Sequence, residues 1–149
     1  VKRAPAVATT ALAVLLTATA CVGPSRTDGD FELKAGNTAK AVSSALGTAR
    51  LAADAASRGD ATSNYVSVVL GEAEQDASAA QATFDSYQPP SAAADKLRTD
   101  LDATLSDAID GLTALRITAR RGQLDRLSRI SRQLGPVATT LEQISEKYS

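Results

Sequence analysis

Residues 35–56 read AGNTAKAVSSALGTARLAADAA, and their apolar positions recur at Ala35, Ala39, Val42, Leu46, Ala49, Ala53 and Ala56. Steps of 4, 3, 4, 3, 4 and 3 put all seven side chains on one stripe of an α-helix, because a residue three or four places on lies one turn further along the same face. The helix spans roughly 32–58. Outward from it the same spacing returns three times. A second segment, roughly 62–88, carries Val66, Val69, Ala73, Ala77, Ala80, Phe84 and Tyr87. A third, roughly 91–121, carries Leu97, Leu101, Leu105, Ala108, Leu112, Leu115 and Ala119. A fourth, roughly 123–147, carries Leu127, Ile130, Leu134, Val137, Leu141, Ile144 and, just beyond it, Tyr148. No stretch alternates with the period of two that a strand requires.

The breaks between segments are legible as chemistry. Arg58-Gly59-Asp60 supplies a glycine for the left-handed position past a helix end. Thr62 or Ser63 can cap the second helix, and Ser91 follows Pro89-Pro90 as a natural cap after a pair that cannot continue a helix. Gly122 divides the third segment from the fourth, and Gly135-Pro136 predicts a kink or short break inside the fourth. Connections this short make successive helices antiparallel neighbours. The expected fold is all-α: an antiparallel up-down-up-down four-helix bundle over residues 31–149.

Composition excludes most chemistry. The chain has 149 residues, 30 of them Ala, with no His, no Met, no Trp and one Cys. Without His there is no imidazole base, no Ser-His-Asp triad and no Glu-x-x-His di-metal site of the kind bundles carry. One Cys makes neither an internal disulfide nor a zinc site. Sixteen basic residues against seventeen acidic ones give no overall attraction to nucleic acid. The acidic residues lack the spacing of a calcium loop, and no glycine-rich phosphate loop occurs. The sequence therefore calls for no catalytic residue, no cofactor, no metal and no nucleic-acid partner.

The first 21 residues carry a different signal. Lys2 and Arg3 form a short positive start, residues 4–20 (APAVATTALAVLLTATA) carry no charge, and Cys21 follows at once. A charged start, a brief apolar stretch and small residues before a break mark a secretory signal peptide. Val1 in the place of Met fits a GTG start codon, the alternative being a chain that begins downstream of its true start. Residues 22–30, VGPSRTDGD, read as a flexible tether between Cys21 and the helical domain.

Leu15-Leu16-Thr17-Ala18-Thr19-Ala20-Cys21 resembles the lipobox of bacterial lipoprotein precursors. The resemblance implies that residues 1–20 are removed and that the Cys21 thiol carries a diacylglycerol, with acyl chains such as palmitate. It implies a protein held at the extracytoplasmic face of the cell membrane. Ala18 departs from the pattern, which favours Leu there, and Ala18-Thr19-Ala20 also satisfies ordinary signal peptidase, so a secreted protein is the alternative. The domain as a whole resembles the small Ala-rich lipoproteins of high-GC Gram-positive bacteria. That resemblance rests on composition and implies a location in the cell envelope, not an activity.

One cluster in the domain suggests a site. Arg116, Arg120, Arg121, Arg126, Arg129 and Arg132 stand against a single acid, Asp125, between residues 111 and 132. Asp125 is spaced to pair with Arg121 and Arg129 on a helix. The arginines are either a solvated tip, ion-paired to Glu72, Glu74 and Asp76, or a surface that binds an envelope protein or an anionic wall polymer. Arg58-Gly59-Asp60 spells an adhesion tripeptide, but helix-stop chemistry accounts for it. Two function classes follow: a non-catalytic, lipid-anchored interaction or accessory module, or a secreted or anchored bundle that carries a small solute. The second would need a lined internal pocket.

Overall fold

The structure, a computed structural model, describes residues 25–149. Residues 1–24, on which the expected signal peptide and the expected lipidation of Cys21 fall, lie outside the described residues. Those described are helical, with no strand among them: α1 (Asp28–Ser57), α2 (Ser63–Asp85), α3 (Ala92–Arg120), a 3-10 turn (Leu124–Arg126), α4 (Leu127–Gln133) and α5 (Gly135–Lys147).

The caps explain the boundaries. Helix α1 opens at Asp28, inside the stretch read from sequence as tether. Thr27 is extended and its hydroxyl accepts from the Asp30 N–H at 3.1 Å. Asp28 and Asp30 add negative charge to the first turn, where the helix dipole favours it. Ser25, just before, is buried and accepts a hydrogen bond from Lys34 Nζ at 3.1 Å, so the chain is tied down from Ser25 onward. Thr62 and Ser91 cap α2 and α3 in the same way, accepting from Tyr65 and Ala94.

Helices α1 and α3 end alike. Gly59 has φ +82° and Gly122 φ +70°. The N–H groups of Gly59 and Asp60 return to Ala56 and Ala55, and those of Gly122 and Gln123 to Ala119 and Thr118. This 5→2 and 6→1 pairing satisfies carbonyls that a helix end leaves open. The fourth segment is divided. Leu134 is at once the last cap of α4 and the first of α5, and Pro136 sits in the opening turn of α5, where its missing N–H costs no hydrogen bond.

Helix α1 packs against α2, α3, α4 and α5 and forms the axis of the core. Its buried face is Phe31, Ala35, Ala39, Val42, Leu46, Ala49, Ala53 and Ala56, so the stripe read from sequence extends back by one turn to Phe31. On α2 the buried line runs through Val66, Leu70, Ala73, Ala77 and Phe84. Leu70, absent from the stripe read in the sequence, is fully buried, and Val69 lies at the margin. Leu101, Leu105, Leu112 and Leu115 from α3, with Leu127, Leu134 and Leu141, fill the other side. Small side chains on α1 face large ones on α3, α4 and α5, which lets the backbones approach while the interior stays filled.

Contacts along the helices fix which ends meet. At one end the Phe31 and Phe84 rings lie 5.4 Å apart, Lys34 Nζ sits 4.3 Å above the Tyr87 ring, and Gly36 abuts the Tyr148 carbonyl. At the other end Ser57 Oγ donates to the Leu124 carbonyl and accepts from the Ser128 N–H, each at 3.1 Å, while Ser63 Oγ donates to the Ala119 carbonyl at 3.0 Å. The described chain starts at the first end, and the loops at 58–62 and 121–124 lie at the second.

Candidate functional site

The six arginines of the candidate site divide into one and five. Arg116 is half-buried and forms an ion pair with Glu74 of α2, both side chains at most a quarter exposed. A second guanidinium nitrogen donates to Glu74 Oε1 at 3.1 Å, and Thr113 Oγ1 donates to the same oxygen at 3.0 Å. The Arg116 guanidinium holds the Glu74 carboxyl below the usual carboxylate range, against the opposing effect of burial. Arg116 therefore belongs to the α2–α3 packing, and its forked donors are directed inward. Of the three acids expected as partners, Glu74 alone pairs with it; Glu72 and Asp76 do not.

Arg120, Arg121, Arg126, Arg129 and Arg132 are exposed. Arg120 and Arg121 end α3, Arg126 closes the 3-10 turn, and Arg129 and Arg132 stand on α4. Among the described residues, ion pairs join Arg58 to Asp60, Lys96 to Asp100 and Arg116 to Glu74. Asp125 pairs with neither Arg121 nor Arg129, because it lies in the 3-10 turn, where the i,i+4 register of a continuous helix is lost. Arg126 reaches only the Gln123 side chain, at 3.5 Å.

The same end carries a residue that the sequence reading left out of the cluster. Arg58 caps α1, and its guanidinium turns back to Asp60 at 2.9 Å with both side chains mostly exposed. The Arg58-Gly59-Asp60 tripeptide is thus a helix stop with an internal ion pair. The signal that would have added Arg58 is topological: it sits 58 residues from Arg116 in sequence, and only the pairing of the two loops brings it close.

The depressions between helices are open surface grooves. One of about 500 Å³ runs between α2 and α3, lined by Val68, Gly71, Glu72, Glu74, Arg116 and Arg120 among others. Another of about 380 Å³, between α1 and α2 at the opposite end, includes Lys34, Thr38, Ala41, Ala80 and Tyr87. Among the described residues no buried side-chain polar atom lacks a partner, and no three His, Cys, Asp or Glu side chains converge to hold a metal. No described helix is long and apolar enough to cross a membrane.

Comparison of the chain with protein-family models, curated proteins and solved structures finds no match. By its own geometry the described domain is all-helical, with a small-residue central helix and an arginine-rich end.

Proposed function

We propose that this chain is a lipid-anchored, non-catalytic interaction module of the bacterial cell envelope. In this reading Cys21 carries the lipid and the helices form an up-down-up-down four-helix bundle, with α4 and α5 together as the fourth helix. The arginine-rich end is then the docking surface. The observation that carries the proposal is the separation of ends. Ser25, which leads back to Cys21, lies beside Lys34, whereas Arg120, Arg121, Arg126, Arg129 and Arg132 gather around loops at the other ends of the same helices.

A helix of 23 to 30 residues is roughly 35–45 Å long. An anchor on Cys21 holds one end at the lipid and presents the arginines well away from it. Two acyl chains suffice for such an anchor, at about 0.8 kcal/mol per buried CH₂. Exposed guanidinium groups offer planar, forked donors that suit phosphate and carboxylate groups. The interior supports surface interaction over solute carriage, since its buried residues are apolar apart from Ser25, Thr38 and Ser131.

The test is co-purification from intact envelopes. Changing Arg121, Arg126 and Arg129 together to Gln is expected to leave helicity intact and to reduce retained partners at least tenfold at low salt. Raising the salt should release partners from the wild type. Identical partners for variant and wild type would return these arginines to the role of solvated surface.

A further inference from the structure

Helix α4 buries Leu127 and Ser131 on one side. With about 100° between successive residues, the opposite side is centred on Arg129, and Arg126 and Arg132 flank it at about 60° each. All three are exposed. Arg126 stands just before α4, but its backbone is already right-handed helical, so the helical register runs on from it. The outward face of α4 is therefore a ridge of three guanidinium groups. It spans an axial rise of about 9 Å, with neighbouring Cβ atoms roughly 5–6 Å apart. Gln133 is the other exposed side chain of this helix, while Ser128 and Ile130 lie half-buried at its margins. Among the described residues none of the three arginines forms an ion pair. The large apolar side chains that stand exposed are Leu33, Leu51, Tyr65, Val68 and Ile117, none of them between positions 120 and 133. That stretch also contains no aromatic residue.

A folded protein partner binds through a centre that is apolar and depleted of charge, and the α4 face has no such centre. A base-bearing strand stacks its bases on aromatic rings, and the face has none. A ridge made only of charge suits a flexible chain that carries an anion at every repeat. We propose that the α4 ridge binds a linear polymer of phosphate groups. A tetrahedral phosphate set in the polymer backbone can accept from guanidinium groups on both sides. Successive phosphates then bridge Arg126 to Arg129 and Arg129 to Arg132. A planar carboxylate standing off its chain takes a single guanidinium fork and leaves the neighbouring arginine unserved. The inference rests on the reading of the arginine-rich end as the docking surface, and it names the chemistry of what docks there.

The experiment is equilibrium binding of the full chain, in detergent, to end-labelled inorganic polyphosphate at several salt concentrations, with thermal unfolding to show that each variant is folded. The wild type is expected to bind, with log K falling against log salt at a slope of about −2, from roughly 0.7 per phosphate contact on a flexible single chain. Arg126→Gln/Arg129→Gln/Arg132→Gln should lose at least about tenfold in affinity and most of that slope. Arg26→Gln/Lys40→Gln/Lys96→Gln removes the same charge from exposed positions elsewhere. It should stay within about threefold of wild type. Polygalacturonate, a carboxylate chain, should bind at least about tenfold more weakly than polyphosphate. A wild type that does not bind polyphosphate, equal losses in the two triple variants, or equal affinity for the carboxylate chain would each overturn the proposal. The docking-surface reading fails on a different result, an arginine variant that keeps its envelope partners.

Discussion

Glu74 and Arg116 show how one half-buried pair can settle the role of a charged residue. Arg116 donates to a carboxylate that also accepts from Thr113, and the Glu74 pKa lies below its ordinary value of 4.5 chiefly because of that guanidinium. A carboxyl whose folded pKa is depressed stabilises the fold above its unfolded value, and the gain is lost as pH falls through the folded one. Glu74→Gln is therefore expected to lower the unfolding temperature at pH 7, with the difference from wild type shrinking below about pH 4.5. Thermal melts across pH 3–7 check this, and a difference that stays constant would contradict it. Gly111 is a second such residue. A Cβ there would overlap the buried Leu134 side chain, so Gly111→Ala should cost about 1–3 kcal/mol despite its better helix propensity. Denaturant titration measures that cost. Neither role was legible in the sequence: the pattern offered three acids for Arg116 and marked Gly111 not at all, because both depend on the register between helices.

At the scale of the element, periodicity carried most of the information. All seven positions of the 3-4 spacing are buried on α1 and six of seven on α3, where Leu97 is half-buried and Ala94 takes the buried place one turn earlier; one face of each of these helices is given to packing. The stripe of α2 drifted, from Val69 to Leu70, because two apolar residues adjoin there and only the neighbouring helices choose between them. Gly59 and Gly122 ended their helices as expected, because a left-handed residue past a helix end is a local requirement. Helix α1 starts at Asp28, four residues before the start near 32 that the apolar spacing predicts. Asp28, Gly29 and Asp30 look like loop residues, yet Thr27 caps them into the first turn. Leu105 and Leu141 are fully buried on α3 and α5. Leu105→Asp or Leu141→Asp puts an unpaired charge into the core, at a cost of more than about 4 kcal/mol. Circular dichroism should show the helical signal lost or its melting sharply lowered; an unchanged melt would mean that these side chains are not in the core.

The molecule as a whole has two chemically different ends. One holds Ser25, the Pro89-Pro90 turn and Tyr148; the other gathers Arg58 with the exposed arginines of α3, the 3-10 turn and α4. The arginine cluster was legible as composition, but its division into one packed and five exposed members was not. That division depends on which acids the fold brings within reach. The central claim is that the chain is anchored at Cys21 with the arginine-rich end held away from the lipid. It can be tested with fluorophores on Gln88→Cys and Gln123→Cys variants, isolated from the membrane fraction and placed in bilayers containing a headgroup-bound quencher. Gln88 is exposed beside Pro89, and Gln123 follows Gly122 in the opposite loop. The account predicts strong quenching at position 88 and little at position 123, which the helices hold roughly 35–45 Å further out. Equal quenching at the two positions, or a protein that never enters the membrane fraction, would contradict it.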